Sequence, residues 1–476
     1  MRPFRSPDAA LIACNLAGPP PNIPSCRMGS GNKMRIAIVG SGVSGLAAAY
    51  ALDPDHEVTV FEKDNRLGGH SSTVDVDHYG PTIPVDTGFI VFNRKTYPNL
   101  TRLFRELKVP CVATKMAFSV SLDDGRFEWA TSNINQMFAQ RENIVNPRHH
   151  MMLLEILRFF RRARADLAAN AVGEVSLKQY LERHRFSRVL VDRFLVPVGG
   201  SIWSATAKQF LEYPAEVLLS FMENHQLLQI EQPIWLTVEG GSRTYVTRLA
   251  ASLRAKFHLN TGVAAVKRSE RSGAVVVDAK GNEAAFDHVI LACHSTDALA
   301  LLEAPSERER QLLGAIRYAK NLTVLHGDPA FMPKRKAAWG CWNYLGSHDS
   351  GRETDPVGIT YWMNALQHID ERYPLFVTLN PRTTPNNVFA RFEYEHPQYD
   401  RAARNAQKDL HSIQGANNVW FCGAYAGHGF HEDGFRSGLE VAHRISASAA
   451  VPLLGHARIW PSDEQDRASM AATAQP

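Results

Sequence analysis

One stretch near the amino terminus constrains the fold more than any other: MRIAIVGSGVSGLAAAYALDPDHEVTVFEKDNRLGGH, from Met34 to His70. A β-branched run, Ile36 to Val39, reads as a buried strand. Glycines then follow in Gly-x-Gly-x-x-Gly spacing at Gly40, Gly42 and Gly45. A helix of small residues runs to about Leu52, Pro54 closes a turn, and EVTVFE forms a second strand ending at Glu62. This is a βαβ unit. Gly40 makes the tight turn, Gly42 lets backbone approach a pyrophosphate, and Gly45 lets the helix pack on the strand. Ser44 belongs to the first helical turn, where free N–H groups and the helix dipole favour phosphate. Glu62 stands 22 residues after Gly40, where a carboxylate takes ribose hydroxyls and disfavours a 2′-phosphate, and Lys63 is counted with it. An ordinary glycine-rich turn would explain neither Glu62 nor the motif that follows, so dinucleotide binding is predicted.

That motif is RLGGH, Arg66 to His70. Here the chain resembles the flavin amine-oxidase superfamily, which includes monoamine oxidases, protoporphyrinogen oxidase and phytoene desaturases. Its members close the second strand with Glu and continue Arg-x-Gly-Gly, a pattern that Glu62, Arg66, Gly68 and Gly69 match. The resemblance implies FAD, held non-covalently, with the paired glycines at its pyrophosphate and the backbone of Val263 along its adenine. The fold it implies is α/β: a Rossmann-type FAD-binding domain with a discontinuous mixed α+β substrate domain. Many amine oxidases carry Arg where this chain has His70, which keeps a donor but loses the permanent charge. Two roles stay open for His70, a phosphate contact or a hydrogen-bonded loop histidine. No second Gly-x-Gly-x-x-Gly occurs. One dinucleotide is expected, and electrons leaving the flavin would pass to oxygen, a quinone or a partner protein.

The FAD-binding domain is predicted from residues 34–95, 237–300 and 412–450. Residues 96–236 read as a mostly helical cap, and 301–411 as a β-rich substrate domain. In the latter, Trp342, Tyr344, Tyr361, Trp362 and Asn364 are candidates to line an apolar pocket; filling the core of the sheet is the plain alternative. Residues 1–33 read as a disordered leader and 451–476 as a loose tail, with Met28 or Met34 as alternative starts. The segment 146–167 combines Met151, Met152, Leu153, Leu154, Leu157, Phe159 and Phe160 with five arginines. It is either a core helix with a solvated basic face or a helix that touches a membrane surface or an acyl substrate.

A formal charge of +4 on 476 residues does not demand a nucleic-acid partner. The six cysteines are scattered without metal-type spacing, which suits a reducing cytoplasm. No run approaches the roughly 20 apolar residues of a membrane-spanning helix. The expected location is cytoplasmic, with peripheral contact at the inner membrane through 146–167. Cys293 ends the apolar run VILAC and reads as a core residue rather than a nucleophile.

Near the carboxyl end, WFCGAYAGHGFHEDGFRSGLEVAHRI gathers His428, His431, Glu432 and Asp433. Two histidines three apart on a glycine-broken loop and two adjacent acids converge poorly on one ion, so no metal site is predicted. VWFCG reads as a last strand turning at Gly423. FRSGLEVAHRI reads as a helix N-capped by Asp433, with Glu432 turned to solvent or an arginine. In the superfamily this segment matches the carboxy-terminal FAD motif, which implies that Gly423, Asp433 and Gly434 lie at the cofactor. The helix N-terminus would favour negative charge on the flavin edge. His431 has the one claim on chemistry, as a proton acceptor, against the alternative of a hydrogen bond that fixes the loop.

The resemblance runs from about Met34 to Ile445 and is close to a bacterial subgroup often encoded beside cyclopropane-fatty-acid-synthase-type methyltransferases. The shared motifs are DTGFIVFN, TYWMN-x-LQ, VTLNP, HP-x-x-D and GFHEDG. It implies a desaturase or dehydrogenase acting on a modified acyl chain, free or in a phospholipid, with a lipid methyltransferase as neighbour. An amine oxidase, a flavin-dependent isomerase and an FAD-bound scaffold are the alternatives.

Overall fold

The computed structural model describes residues 33–203, 206–229, 233–268, 273–346 and 358–446. The whole predicted tail, the leader as far as residue 32 and the alternative start at Met28 lie outside them. The βαβ unit forms as β1 (Arg35–Val39), α1 (Val43–Leu52) and β2 (Glu57–Phe61). Three distant strands join it: β3 (Lys256–His258), β4 (His288–Leu291) and β5 (Val419–Phe421). Every pairing is parallel, in the order β3-β2-β1-β4-β5. Ile36, Ile38, Val60, Val289, Ile290 and Leu291 are fully buried, as strands covered on both faces must be.

The helix after β5, α2 (His431–Ile445), crosses α1 at close range because both present small residues. A Cβ on Gly434 would lie 2.7 Å from Val43 Cγ1, and one on Gly438 would lie 2.1 Å from the Ser44 carbonyl oxygen. Ala47, Ala48, Ala49 and Ala51 of α1 are fully buried.

A second sheet has seven strands, running in order through Val388–Pro397, Tyr318–His326, Phe376–Leu379, Gly358–Trp362, Trp342–Gly346, Phe118–Leu122 and Phe127–Ala130. Residues 111–130 were expected within a helical region. Instead Cys111–Thr114 pairs with Trp235–Val238, and the two strands between Phe118 and Ala130 extend this sheet. The alternation of FSVSL and FEWA is a strand period, masked in the sequence by the helical patterns on either side. The predicted cap opens with the helix Pro98–Glu106, and after these strands its helices resume at Ile134 and include Pro147–Ala168, Leu177–Arg183 and Ala215–Asn224.

Register assigns the faces of the seven-stranded sheet. Phe118, Trp342, Tyr361, Val377, Leu325 and Ala390 are successive cross-strand partners, so they share one face. Part of that face packs on Ile83, Val85 and Ile90 beside the FAD-type domain, and part on the helical cap. Ser119, Asn343, Thr360 and Thr378 form the opposite row. Among the described residues no helix is long and apolar enough to cross a membrane.

Candidate functional site

The glycines of the first loop divide into two mechanical classes. Gly40 has φ +102°, and a Cβ there would approach the Ala292 carbonyl oxygen to 2.7 Å; a Cβ on Gly45 would approach the Gly40 carbonyl oxygen to 2.0 Å. Both are compelled by packing. Gly42 is different, because a Cβ there would meet nothing within 4 Å, while Gly69 faces it with its own Cβ position 3.1 Å from Gly42 Cα. The two glycine motifs therefore meet backbone to backbone at the amino end of α1, and Gly68 N–H donates to the Ser41 carbonyl at 3.0 Å.

Glu62 is buried, and its carboxylate is already oriented. It accepts from Ser41 N–H (2.9 Å), Ser41 Oγ (2.5 Å) and Asp64 N–H (2.9 Å). Ser41 was not singled out in the sequence, since it occupies a variable position of the motif. Arg66 donates to the Gly69 carbonyl at 2.8 Å and the Ser71 carbonyl at 3.2 Å, which ties the glycine turn closed. Asn260 and Thr261 donate to the carbonyls of Asp64 and Glu62, so the chain delivers Val263 to the Glu62 end of the loop. Lys63 is exposed there beside Gly262. Ser44 lies buried in the first turn of α1, and burial pushes the neighbouring Cys422 thiol up to about 12.

At the other wall Gly423 follows β5 and donates to Ser437 Oγ at 2.7 Å. The four residues of the GHGFHEDG cluster then diverge. Asp433 is not the N-cap that its place before Gly434 predicted. The helix begins earlier, at His431, and from its third position the Asp433 carboxylate reaches back to His428 N–H (3.0 Å) and Phe430 N–H (3.1 Å). Glu432 turns neither to solvent nor to an arginine hydrogen bond. It is buried and accepts from Asn99 N–H (3.0 Å), Asn99 Nδ2 (2.6 Å) and Leu100 N–H (3.0 Å), capping the helix Pro98–Glu106. Burial raises its carboxyl to about 7. His428 points to Asn224, at 3.4 Å. The amides of His431, Glu432 and Asp433 have no carbonyl within α2 to bond, since the first such bond runs from Gly434 to Phe430.

His431 is stacked on Phe89, with ring centres 3.9 Å apart and planes at 7°, and its Nε2 lies 2.7 Å from Tyr245 Oη and 3.0 Å from Ser71 Oγ. Burial lowers it to about 3, so it is neutral across the working pH range. His70 is lowered to about 3 for the same reason, and its Nε2 is buried without a partner. Around it stand Tyr394, His294 and His396, with ring centres 4.9, 6.1 and 6.3 Å away. Tyr394 Oη is 2.9 Å from Thr87 Oγ1, and His396 is 3.3 Å from Asn321 Nδ2. Sequence reading missed Ser71, Phe89, Tyr245, His294, Asn321 and His396. Only the DTGFIVFN and HP-x-x-D motifs hinted at any of them.

The arrangement fits FAD. An open Gly42 facing Gly69 forms a cradle that a side chain would fill, a helix N-terminus points at it, an oriented carboxylate stands at the second strand, and a buried imidazole nitrogen lacks a partner. Of the five candidates for the pocket, Trp342, Tyr344 and Tyr361 share the sheet face that carries Asn321 and Tyr394. Trp362 is on the other face and packs edge-on against Trp339, with ring centres 5.2 Å apart. Asn364 is committed to a loop: Nδ2 donates to the carbonyls of Asp370 (2.9 Å) and Tyr373 (2.8 Å), and Oδ1 accepts from Leu375 N–H (2.9 Å). Alternation along a strand accounts for the first exclusion and hydrogen-bond capacity for the second. Cys293 is half-buried against the core rather than within it, and burial raises its thiol.

Comparison with known proteins agrees with this geometry. The sequence profile of the flavin containing amine oxidoreductases matches residues 43–332. A segment of 55 residues is 47% identical to 4,4'-diapophytoene desaturase (4,4'-diaponeurosporene-forming) of Staphylococcus aureus, covering 10% of this chain and 11% of that protein. Among solved structures, the CLA-producing fatty acid isomerase from P. acnes superposes with TM-score 0.63 at 14% identity, over 88% of this chain and 100% of that one. Putrescine oxidase bound to putrescine gives TM-score 0.60 at 18% identity, over 87% and 99%. Cyclohexylamine oxidase from Brevibacterium oxydans IH-35A gives 0.60 at 17%, over 87% and 99%. At these identities the structural likeness is one of fold. The profile covers more than half of the sequence, and with it this chain belongs to the flavin containing amine oxidoreductases, as an oxidoreductase whose cofactor is FAD.

Proposed function

We propose that the protein oxidises a C–H bond of a long apolar substrate, as a desaturase or dehydrogenase of modified acyl chains. The observation that carries this reading is the composition of the sheet face turned towards the FAD-binding domain. Trp342, Tyr344, Tyr361, Phe392 and Tyr394 lie on it, and among the described residues its seven strands place no Asp, Glu, Lys or Arg there. Phe430 joins Trp342 and Tyr344 against the apolar core of the helical cap. Such a wall offers dispersion contacts and no counter-charge, which suits hydrocarbon better than an ammonium group. The likeness to the desaturase and to the fatty acid isomerase lends support, since both act on long hydrocarbon chains.

FAD, held by the Gly42–Gly69 cradle and the Glu62 carboxylate, would supply a hydride acceptor whose electrons pass to oxygen, a quinone or a partner protein. The residues of the chain orient and insulate. The unbonded amides at the start of α2 favour negative charge in front of them. His70, His396 and His431, lowered to about 3, 4 and 3 by burial, present no cations to an apolar substrate. The carbon next to the oxidised one would lose its proton to solvent, so the substrate would gain a double bond while one hydride and one proton leave it, together reducing the terminal acceptor to peroxide or quinol.

Anaerobic reduction of the bound flavin tests the reading. Mixing with phospholipids that carry unsaturated or methylated acyl chains should bleach the flavin absorbance, whereas putrescine and cyclohexylamine should not. Bleaching by the amines alone would replace this proposal with amine oxidation, and a flavin that no lipid reduces would end it. Comparative acyl-chain analysis of cells with and without the protein should then show the unsaturated product only in its presence.

A further inference from the structure

The amino-terminal half of the helix Pro147–Ala168 and the turn before it leave large apolar side chains in water. Val145 is 83% exposed, Leu154 66%, Ile144 53%, Met151 43% and Leu157 37%. Eight large apolar side chains are this exposed among the described residues, and six of them fall between Ile134 and Leu157. Scattered exposed leucines are ordinary, but this concentration on one element is not. The helix does not lack a core face, because Met152, Ile156, Phe159 and Ala163 are buried on its other side. Met151, Leu154 and Leu157 recur at a three-residue interval and so form a second apolar stripe.

Along the helix itself, the unpaired charges beside the stripe are of one sign. Arg148 and Arg161 are exposed and have no carboxylate partner among the described residues. The two acids of the helix are both withdrawn: Glu155 binds Ser187 through its N–H and Oγ, and Asp166 is buried against Tyr180 and Arg162. Arg158 spans the carbonyls of His184 and Arg185 and packs over Phe186, its guanidinium carbon 4.3 Å from the ring centre. The exposed side of the helix thus offers apolar tips and uncompensated guanidinium groups, and no free carboxylate; the turn before it adds the exposed Arg141 and Glu142, which offset each other in charge. A protein partner with a mixed surface would leave these arginines unanswered; an anionic bilayer answers both features at once, hydrocarbon below and phosphate at the level of the arginines.

We propose that this face seats the protein on an anionic lipid surface. Ile144, Val145, Met151, Leu154 and Leu157 enter the boundary between headgroups and acyl chains, with Arg148 and Arg161 at the phosphates. The inference goes beyond the function proposed above and stands without it, since binding is read with no substrate turnover.

Flotation of the FAD-loaded protein with vesicles tests it. The protein should float with an equal mixture of phosphatidylcholine and phosphatidylglycerol, and less with phosphatidylcholine alone. Met151→Ser combined with Leu154→Ser should lower the partition coefficient about tenfold or more, from the loss of two buried apolar tips. Flavin content and thermal midpoint should stay unchanged, since both side chains are already in water. Arg148→Glu combined with Arg161→Glu should abolish the preference for phosphatidylglycerol. The proposal is overturned if the wild-type protein fails to float with the mixture, or if both double variants float as well as it does. It is equally overturned if sedimentation shows a dimer of the wild type that the serine variant breaks, which would make the face a contact between two copies of the chain.

Discussion

Gly42 has φ −63° and ψ 177°, backbone angles that any residue adopts, and space lies open where its side chain would stand. Alanine there should leave the fold within about 0.5 kcal/mol of wild type, as an unstrained open site does. The added methyl would occupy the place through which backbone approaches pyrophosphate, so FAD should dissociate about tenfold more readily or worse, a loss of about 1.4 kcal/mol. Thermal unfolding of the apoprotein and equilibrium titration with FAD separate the two effects; unchanged FAD affinity would mean that the cofactor does not cross this cradle. His431 poses the complementary case. Stacked on Phe89 and bonded to Tyr245 and Ser71, it is built as a positioning residue, and a group lowered to about 3 by burial is a weak proton acceptor near neutrality. His431→Ala should therefore lower stability by about 1 to 3 kcal/mol, through packing lost against Phe89 and an acceptor lost to the Ser71 and Tyr245 hydroxyls, which stay bonded to each other at 2.6 Å. The pH profile of flavin reduction should keep its shape. If a limb of that profile disappears in the variant, His431 handles the proton.

At the scale of elements, the packing of α1 against α2 couples the two walls of the site, and glycines set its distance. Gly438→Ala would drive a methyl to 2.1 Å from the Ser44 carbonyl oxygen, against helix backbone that cannot swing aside. A cost of about 3 kcal/mol is expected, at the upper end for overpacking by one carbon. With the cofactor's phosphates assigned to α1 and its flavin to α2 by the family resemblance, FAD retention through gel filtration should fall with the melting temperature. An alanine variant that melts and holds FAD as the wild type does would show the crossing to be loose. The same glycines explain what could be read from the sequence and what could not. Gly40, Gly42, Gly45 and Glu62 lie within one βαβ unit, where spacing along the chain is spacing in the fold, so their arrangement was legible. Gly434 looked like a loop breaker and suggested a helix starting after it. In fact it is a contact glycine inside a helix that begins at His431, and its partner Val43 lies far upstream. Glu432 was misread for the same reason, since its partners Asn99 and Leu100 are more than three hundred residues away in sequence. The grouping of His70 with His294, Tyr394 and His396 likewise comes from three separate segments that only the folded sheets bring together.

Taken as one molecule, the protein encloses six histidines, His225 and His326 buried and the other four half-buried, whose imidazoles are held neutral. His70, His428 and His431 are lowered to about 3, and His225, His326 and His396 to about 4, in every case chiefly by burial. Each binds its proton more readily in the unfolded chain than in the folded one. Its contribution to stability is intact above the ordinary histidine value of about 6.5 and is lost as pH falls from there towards the folded value. For the near-inaccessible His225 and His326 the loss approaches about 1.4 kcal/mol per pH unit; for those that keep some accessible surface it is smaller, because water screens them. Two buried acids oppose the trend. Burial raises Glu432 to about 7 and Asp86 to about 6, so these bind protons more readily when folded, and their contribution grows as pH falls through those values. Six groups against two decide the direction. The thermal midpoint should fall from about pH 7 to about pH 5, well before ordinary carboxylates titrate. His326→Gln is the sharpest check, because His326 is fully enclosed, bonded to Thr378 Oγ1 at 2.7 Å, and remote from the flavin wall. The variant starts less stable at neutral pH but should lose less on acidification than the wild type does. Equal slopes for the two proteins would show that the acid sensitivity lies in something other than histidines kept neutral by the fold.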